Sequence, residues 1–475
     1  MEKKKLYING EWVEATSYTT LTSPYSGEPL AEIPVATESD VEQAIEAAYQ
    51  ARNMMAKMPA HKRAAILEKV AEILQERAEE AAQMIALEAA KPITTAKAEV
   101  GRTIQTYKFA AEEAKRIHGE TIPLDAAPGG ENRVAFTVRE PIGVIGAITP
   151  FNFPMNLVAH KLGPAIAAGN TIVLKPASQT PLSAYFIAEL FEQAGLPKGA
   201  LNVVTGSGKT VGDKLVTDER ISMITFTGSP AVGIGIRNKA GLKKVTLELG
   251  SNSAVIVDED VDIDSIIQRC VVGAFSFQGQ VCISLQRIYV HEKRYEEFVE
   301  KFIAATKQLN VGDPLDPKTD VSALITPNDV ERSLQWIEEA KQGGATVAVG
   351  GERKGNILLP TVILHARPDM KVSCQEVFAP IVLINKATSI DEAIELVNDS
   401  RYGLQAGIYT NNIHVAWEAV EKLQVGGVLI NDIPTFRVDH MPYGGVKESG
   451  TGREGLRYAI EEMTELKLVI FNRNQ

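Results

Sequence analysis

Nucleophilic or metal chemistry in this chain would rest on three cysteines and seven histidines. The histidines (His61, His118, His160, His291, His365, His414, His440) never stand as two ligands at i, i+3 or i, i+4, and no cysteine lies in a C-x-x-C pair, so no catalytic metal is expected. Cys282 is different. It follows Gly279, Gln280 and Val281 on a turn after an apolar helical segment, whereas Cys270 sits inside that segment, in phase with Ile266, Ile267, Val271 and Ala274, and points at a core. A thiol becomes reactive in a partly exposed site that stabilises its thiolate, which makes Cys282 the candidate nucleophile and Cys270 a packing residue.

A thiol on a turn needs rigid elements to aim it. The helical segment before it, 262–275, has Asp262 or Asp264 to cap its start. From Ile142 onward strands alternate with helices: strand 144–149, helix 155–168, strand 171–174, helix 182–194, strand 201–204, helix 211–217, strand 223–226 and strand 243–247. Apolar strands in that rhythm specify a parallel sheet covered on both faces, with ligands bound at the carboxyl ends of its strands. The unusual residues collect at those ends: Thr149, Pro150, Phe151 and Asn152; then Lys175, Pro176 and Ser178; then Gly206 and Gly208; then Thr227, Gly228 and Ser229 after Phe226. Short loops that open helices expose backbone N–H groups to one crevice, an arrangement suited to an anion such as a pyrophosphate. Two decoys fail here. Gly208-Lys209-Thr210 ends like a nucleoside triphosphatase phosphate loop, but Val203 stands at the earlier glycine position, and no window reads G-x-G-x-x-G.

Glu248-Leu249-Gly250 ends the 243–247 strand, and a second block of the same grammar follows: helix 262–275, the Cys282 turn, strand 285–290, helices 295–309 and 330–342, and strands 346–349 and 381–385. Upstream, residues 6–13 read as a hairpin turning at Asn9-Gly10. Thr37 or Ser39 starts a helix, with Ser39 and Glu42 in the form of a capping box. Pro59 separates it from a helix over 62–88, and Pro92 opens another that reaches about residue 117. Residues 134–138 are a short strand, and 466–471 form a closing apolar strand, an unpaired edge unless another segment or subunit covers it. An oligomer is therefore expected.

Composition removes several classes of function. At 475 residues the chain exceeds one small core, and its 45% hydrophobic and 23% charged content is ordinary for a globular protein. A net charge of −11 argues against nucleic acid or an anionic membrane as the main partner. The basic start, Met1 to Lys5, leads into no apolar signal core, and three unpaired cysteines fit a reducing compartment, so a cytoplasmic location is expected.

Taken together, Asn152, Lys175, Phe226-Thr227-Gly228-Ser229, Glu248-Leu249-Gly250, Gly279-Gln280-Val281-Cys282, Glu376-Val377-Phe378-Ala379-Pro380 and the glycine-rich stretch Lys447 to Gly455 resemble the aldehyde dehydrogenase superfamily in order and spacing. The resemblance runs from end to end. It implies an α/β fold of two Rossmann-like doubly wound parallel-sheet domains: 1–122 with 139–248 for the cofactor, 249–447 for catalysis, and 123–138 with 458–475 as a small β oligomerisation element. By the same resemblance Cys282 attacks an aldehyde carbon, and the Asn152 amide with the Cys282 N–H holds the oxyanion. Hydride passes to NAD or NADP, and Glu248 activates the water that hydrolyses the thioester. Lys175 and Glu376 look like the groups on the ribose hydroxyls and Ser229 like the pyrophosphate donor. Thr149, Pro150, Phe151, Gly208, Phe226, Thr227, Gly228, Leu249, Gly250 and Phe378 make up the rest of the dinucleotide cleft. At Ser178 many NAD-using members carry a glutamate that repels a 2′-phosphate, so NADP is expected to be accepted.

The substrate is less legible. Arg102 and Arg437 resemble positions that face anionic aldehydes in relatives, and each reads equally well as a structural ion pair. Phe153, Val281 and Ile283 would border the same space. Phe277, Ala379 and Tyr443 depart from the family's common asparagine, glycine and phenylalanine, and they suggest a branch near lactaldehyde and non-phosphorylating glyceraldehyde-3-phosphate dehydrogenases. A short hydroxylated or anionic aldehyde, oxidised to its free acid in a dimer or tetramer, is the expected reaction. A coenzyme A-acylating relative and a non-catalytic, crystallin-like relative are the alternatives.

Overall fold

Strands that are apolar on both faces must be covered twice. In the computed structural model, which describes residues 1–473, they assemble into two helix-covered sheets. Across the first run Leu201–Val203, Thr171–Lys175, Val144–Ile148, Ile221–Thr227 and Lys244–Glu248, all parallel. The winding reverses between Val144–Ile148 and Ile221–Thr227, the switch point where a doubly wound sheet opens its ligand crevice. Every residue of Val144–Ile148 and Thr171–Lys175 is buried, and each such Val, Leu or Ile contributes roughly 1.5–3 kcal/mol by leaving water.

Antiparallel strands cap both edges of this sheet. Leu6–Ile8 and Glu11–Val13 form the expected hairpin, with Asn9 and Gly10 both left-handed at φ 53° and 71°. On the other edge Gly450–Thr451 returns from the far end of the chain to pair with Leu247 and Glu248. A Cβ at Gly450 would lie 2.1 Å from the Leu247 carbonyl oxygen, so only glycine brings the tail this close to Glu248.

The second sheet runs Thr346–Val349, Thr361–Leu364, Ile381–Ala387, Arg287–His291, Ala254–Val257, Gln405–Tyr409, Gly427–Ile430, parallel except for its first strand. A third, small sheet pairs Thr464–Asn472 along Arg133–Pro141, with Thr121–Ile122 on the far side. The terminal strand is thus paired along one edge, while Leu466, Leu468, Ile470 and Phe471 stay about half exposed. Leu456–Glu462 packs instead on the Ile93–Ala114 and Asn156–Ala168 helices, because Leu456, Ala459 and Ile460 give it one apolar face. Residues 474–475 of the expected 458–475 element lie outside the described residues.

Two local expectations are corrected. The capping box belongs to Thr37 and Asp40, not Ser39 and Glu42, since the Thr37 hydroxyl accepts from the Asp40 N–H and Asp40 accepts in return from the Thr37 N–H. The expected 62–88 helix is two helices, Ala60–Glu76 and Ala78–Ala89, broken at Arg77, whose guanidinium reaches both Glu80 and Glu189. Among the described residues no helix is long and apolar enough to cross a membrane.

Candidate active site

The Cys282 turn is held from three sides. Asp262 caps the Ile263–Phe275 helix, as one of the two expected residues. Phe277, Gln278 and Gly279 then all turn left-handed, at φ 48°, 55° and 69°. For the two non-glycines this conformation costs on the order of 1 kcal/mol each, and it persists because the surroundings impose it. The Gln278 amide donates to the Ala90 and Ala323 carbonyls, both at 2.9 Å, and the Gln280 amide oxygen accepts from the Ile325 N–H. A Cβ at Gly279 would overlap the Ala379 carbonyl oxygen at 2.2 Å. Cys282 emerges half-buried, with burial first and the Glu376 charge second raising its thiol to about 11. Cys270 is fully buried in the core, as its helical phase requires.

Asn152 is tied to that turn by its side-chain N–H, which donates to the Gln280 carbonyl at 3.0 Å. Its own carbonyl accepts from the Lys91 ammonium at 2.6 Å. Lys91 is fully buried, paired with Glu99 and stacked on the Phe153 and Phe277 rings at 3.8 and 4.2 Å. Glu99 in turn accepts from the Met155 and Asn156 N–H groups, so it, and not Asn152, caps the following helix.

Glu248 ends its strand buried, and among the described residues neither carboxyl oxygen has a hydrogen-bond partner. Burial, and then the nearby Glu454 carboxylate, raise its pKa well above the ordinary carboxylate range. Glu454 is the ionised member. Burial opposes its charge, but the Lys161 and Arg437 cations bring it down to about 2. The network around it is dense. Lys161 donates to Thr225, Thr227 and Glu454. Arg437 donates to Glu454 at 2.9 Å and to the His160 Nδ1 at 3.1 Å, and the His160 Nε2–H donates to Asp439 at 2.7 Å. Burial and Arg437 keep His160 neutral, consistent with that tautomer. Arg102 closes the chain with two bonds to Asp439, at 2.7 and 3.1 Å.

A cavity of about 860 Å³ opens at the switch point between the two sheets. Asn152, Glu248 and Cys282 all border it, together with Pro150, Phe151, Lys175, Gly208, Phe226, Thr227, Gly228, Ser229, Leu249, Gly250, Glu376 and Phe378. Some of its polar groups are short of partners. The Lys175 ammonium is buried with one bond, to the Pro176 carbonyl, and burial lowers its pKa. Burial raises Glu376 to about 7, and among the described residues its carboxylate accepts only the Ser251 N–H. Ser229 begins the Pro230–Lys239 helix without capping it, which leaves hydroxyl and helix N-terminus to an anion. A buried lysine, a carboxyl and an open helix N-terminus along one long apolar-walled cleft fit a dinucleotide.

Two expected cofactor residues stand elsewhere. Thr149 is buried and continues the strand pairing through its N–H to the Lys175 carbonyl, and Ser178 is exposed on the next loop between two lining residues, Ala177 and Gln179. Arg102, Phe153, Val281, Ile283 and Arg437 do not border the cleft. Val281 and Ile283 are nearly fully buried with Phe277 and Tyr443, and Phe153 and Cys282 pack against them. Sequence reasoning missed Arg332 and Trp336, which line the cleft from the Pro327–Gln342 helix. It also missed the buried Lys91–Glu99 pair. Lone charges on amphipathic helices carry no local signal, although Lys91 beside Pro92 at a helix start was a visible oddity.

Among the described residues no group of three or more His, Cys, Asp or Glu could hold a metal ion. Residues 12–469 match the aldehyde dehydrogenase family. A 3-sulfolactaldehyde dehydrogenase of Priestia aryabhattai is 50% identical over 467 residues, 98% of each chain. The succinate complex of aldehyde dehydrogenase 21 from Physcomitrella patens superposes with a TM-score of 0.98 at 41% identity, covering 100% of this chain and 99% of that one. The NADP complex of a glyceraldehyde-3-phosphate dehydrogenase from Methanocaldococcus jannaschii gives 0.93 at 41% identity, covering 96% and 100%. With likeness this close along the whole chain, this protein belongs to the aldehyde dehydrogenase family.

Proposed function

We propose that this enzyme oxidises a small anionic or hydroxylated aldehyde to its free acid through a thioester on Cys282. The supporting observation is the convergence of Cys282, Asn152 and Glu248 on one cleft where Lys175 and Glu376 each keep a single partner. The cofactor is NAD or NADP. Lys175 and Glu376 would hold its ribose hydroxyls and Ser229 its pyrophosphate, and the exposed Ser178 with Lys209 at the cleft leaves room for a 2′-phosphate. When bound, its nicotinamide accepts the hydride.

The chain's own residues do the rest. The Cys282 thiolate adds to the aldehyde carbon, and the second N–H of the Asn152 amide with the Cys282 N–H holds the developing oxyanion. After hydride loss Glu248 takes a proton from the water that attacks the thioester. Burial disfavours the Glu248 carboxylate, so this role requires water or a side-chain rotation that lets the carboxyl ionise. The nucleophile comes from the second sheet's side and Asn152 and Glu248 from the first, and both would contribute cofactor contacts. The half-exposed apolar residues of Thr464–Asn472 support a homo-oligomer, which we place in the cytoplasm, with neither nucleic acid nor membrane as partner.

The 50% identical sulfolactaldehyde dehydrogenase supports an anionic substrate. Measuring kcat/KM for lactaldehyde, glyceraldehyde 3-phosphate, succinic semialdehyde, sulfolactaldehyde and a neutral aliphatic aldehyde, with both cofactors, tests it. The anionic or hydroxylated members should lead, and a clear preference for the neutral one would overturn the substrate class. Cys282→Ala should abolish turnover while leaving cofactor binding intact. Glu248→Gln should keep a hydride burst and slow the steady state by roughly 10²-fold or more. A coenzyme A thioester as product would replace this reading with the acylating one.

A further inference from the structure

Beside Cys282 lies a residue that the reaction as outlined leaves unused. Tyr443 is buried, and its hydroxyl donates to the Cys282 sulfur at 3.8 Å. Behind its ring stands Arg437, with the guanidinium 3.6 Å from the ring centroid. The Tyr443 backbone is clamped to Glu454 by two bonds, N–H to carbonyl at 3.0 and 2.7 Å. The next residue must be small, because a Cβ at Gly444 would come within 2.9 Å of both the Glu248 carboxyl and the Arg453 side chain. The phenol is therefore placed by backbone, not by an adaptable side-chain packing.

We propose that Tyr443 is a further catalytic residue whose hydroxyl stabilises the Cys282 thiolate, and that Arg437, acting through the ring, strengthens it as a donor. This rests on the assignment of Cys282 as nucleophile. Around the sulfur the charged and titratable groups are Glu376, Glu248, Arg437 and Tyr443 itself. The two carboxyl groups disfavour a thiolate when ionised, and Arg437 is the cation among them. A phenol that donates to sulfur offsets burial locally without bringing a negative charge of its own. The thiol proton leaves to water, and Tyr443 keeps its own proton throughout. The same bond serves twice, in forming the thiolate before attack and in receiving it again when the thioester is cleaved.

Tyr443→Phe removes one oxygen and keeps the ring between Arg437 and Cys282. The test is the rate of iodoacetamide alkylation of the Cys282 peptide, followed by mass against pH, in wild-type and variant enzyme without cofactor. Loss of one hydrogen bond to the thiolate should move the midpoint up by about one pH unit. That corresponds to roughly tenfold slower alkylation at neutral pH, converging with wild type in alkali. The pH profile of kcat/KM should shift in the same direction. Superimposable alkylation curves from a folded variant would overturn the proposal. Full turnover in Cys282→Ala would instead overturn the nucleophile assignment, so the two failures are distinguishable.

Discussion

The two flanks of Cys282 treat their polar groups in opposite ways. On the cleft side, the buried Lys175 and half-buried Glu376 each have one partner, and the exposed Ser229 hydroxyl caps nothing. On the other side, Arg102, Asp439, His160, Arg437, Glu454 and Lys161 form one continuous network, and Lys91 and Glu99 a second. A buried polar group left unpaired is unfavourable unless a ligand completes it, whereas a paired one is strongly held scaffolding. The contrast separates binding groups from positioning groups without reference to residue type, since lysines and glutamates occur on both flanks.

The sharpest way to break this comparison is Lys91→Met. It leaves Glu99 buried without its cation and frees the Asn152 carbonyl, so unfolding in urea should show a loss of about 3–5 kcal/mol, with kcat reduced. Wild-type stability in that variant would remove the scaffolding reading. Arg102→Met is milder, because Asp439 keeps His160 and Asn156; a loss of about 1–2 kcal/mol is expected, with kcat/KM falling alike for anionic and neutral aldehydes. Lys175→Ala lies across the divide. Cofactor Kd should weaken roughly tenfold, measured by nicotinamide fluorescence, while the urea midpoint stays put. The smallest effect is one of pH. Glu376, raised to about 7 in the free enzyme, is ionised only above that value, and the ionised form accepts ribose hydroxyls. Cofactor binding should therefore tighten a few-fold as pH rises through about 7, and the dependence should vanish in Glu376→Gln.

Stability should respond to pH with opposite signs on the two flanks. A raised carboxyl such as Glu376 contributes stability below the ordinary carboxylate range and loses it as pH rises through about 7. Glu454, depressed to about 2, contributes above the ordinary range and loses its contribution as pH falls towards that value.

Arg102 and Arg437 show where reading from sequence stopped. A lone arginine within a helix or in a loop has the same local signature whether it meets a substrate or a carboxylate. Their partners, Asp439 and Glu454, lie far along the chain from Arg102 and across a glycine-rich tail from Arg437. The Thr37–Asp40 box and the break at Arg77 were missed for a smaller reason: competing caps differ by a fraction of a kcal/mol, and tertiary contacts select among them.

Sequence alone determined the sheet grammar, the placement of Thr149 to Asn152 and Thr227 to Ser229 at strand ends, the thiol on a turn and the family. Each depends on local periodicity or on motifs that are contiguous in the chain. Tertiary structure decided which polar groups are paired, that burial and Glu454 raise the Glu248 pKa, and that Tyr443 reaches Cys282. Those outcomes depend on burial and on contacts between residues distant in the chain, since desolvation and charge proximity act through space.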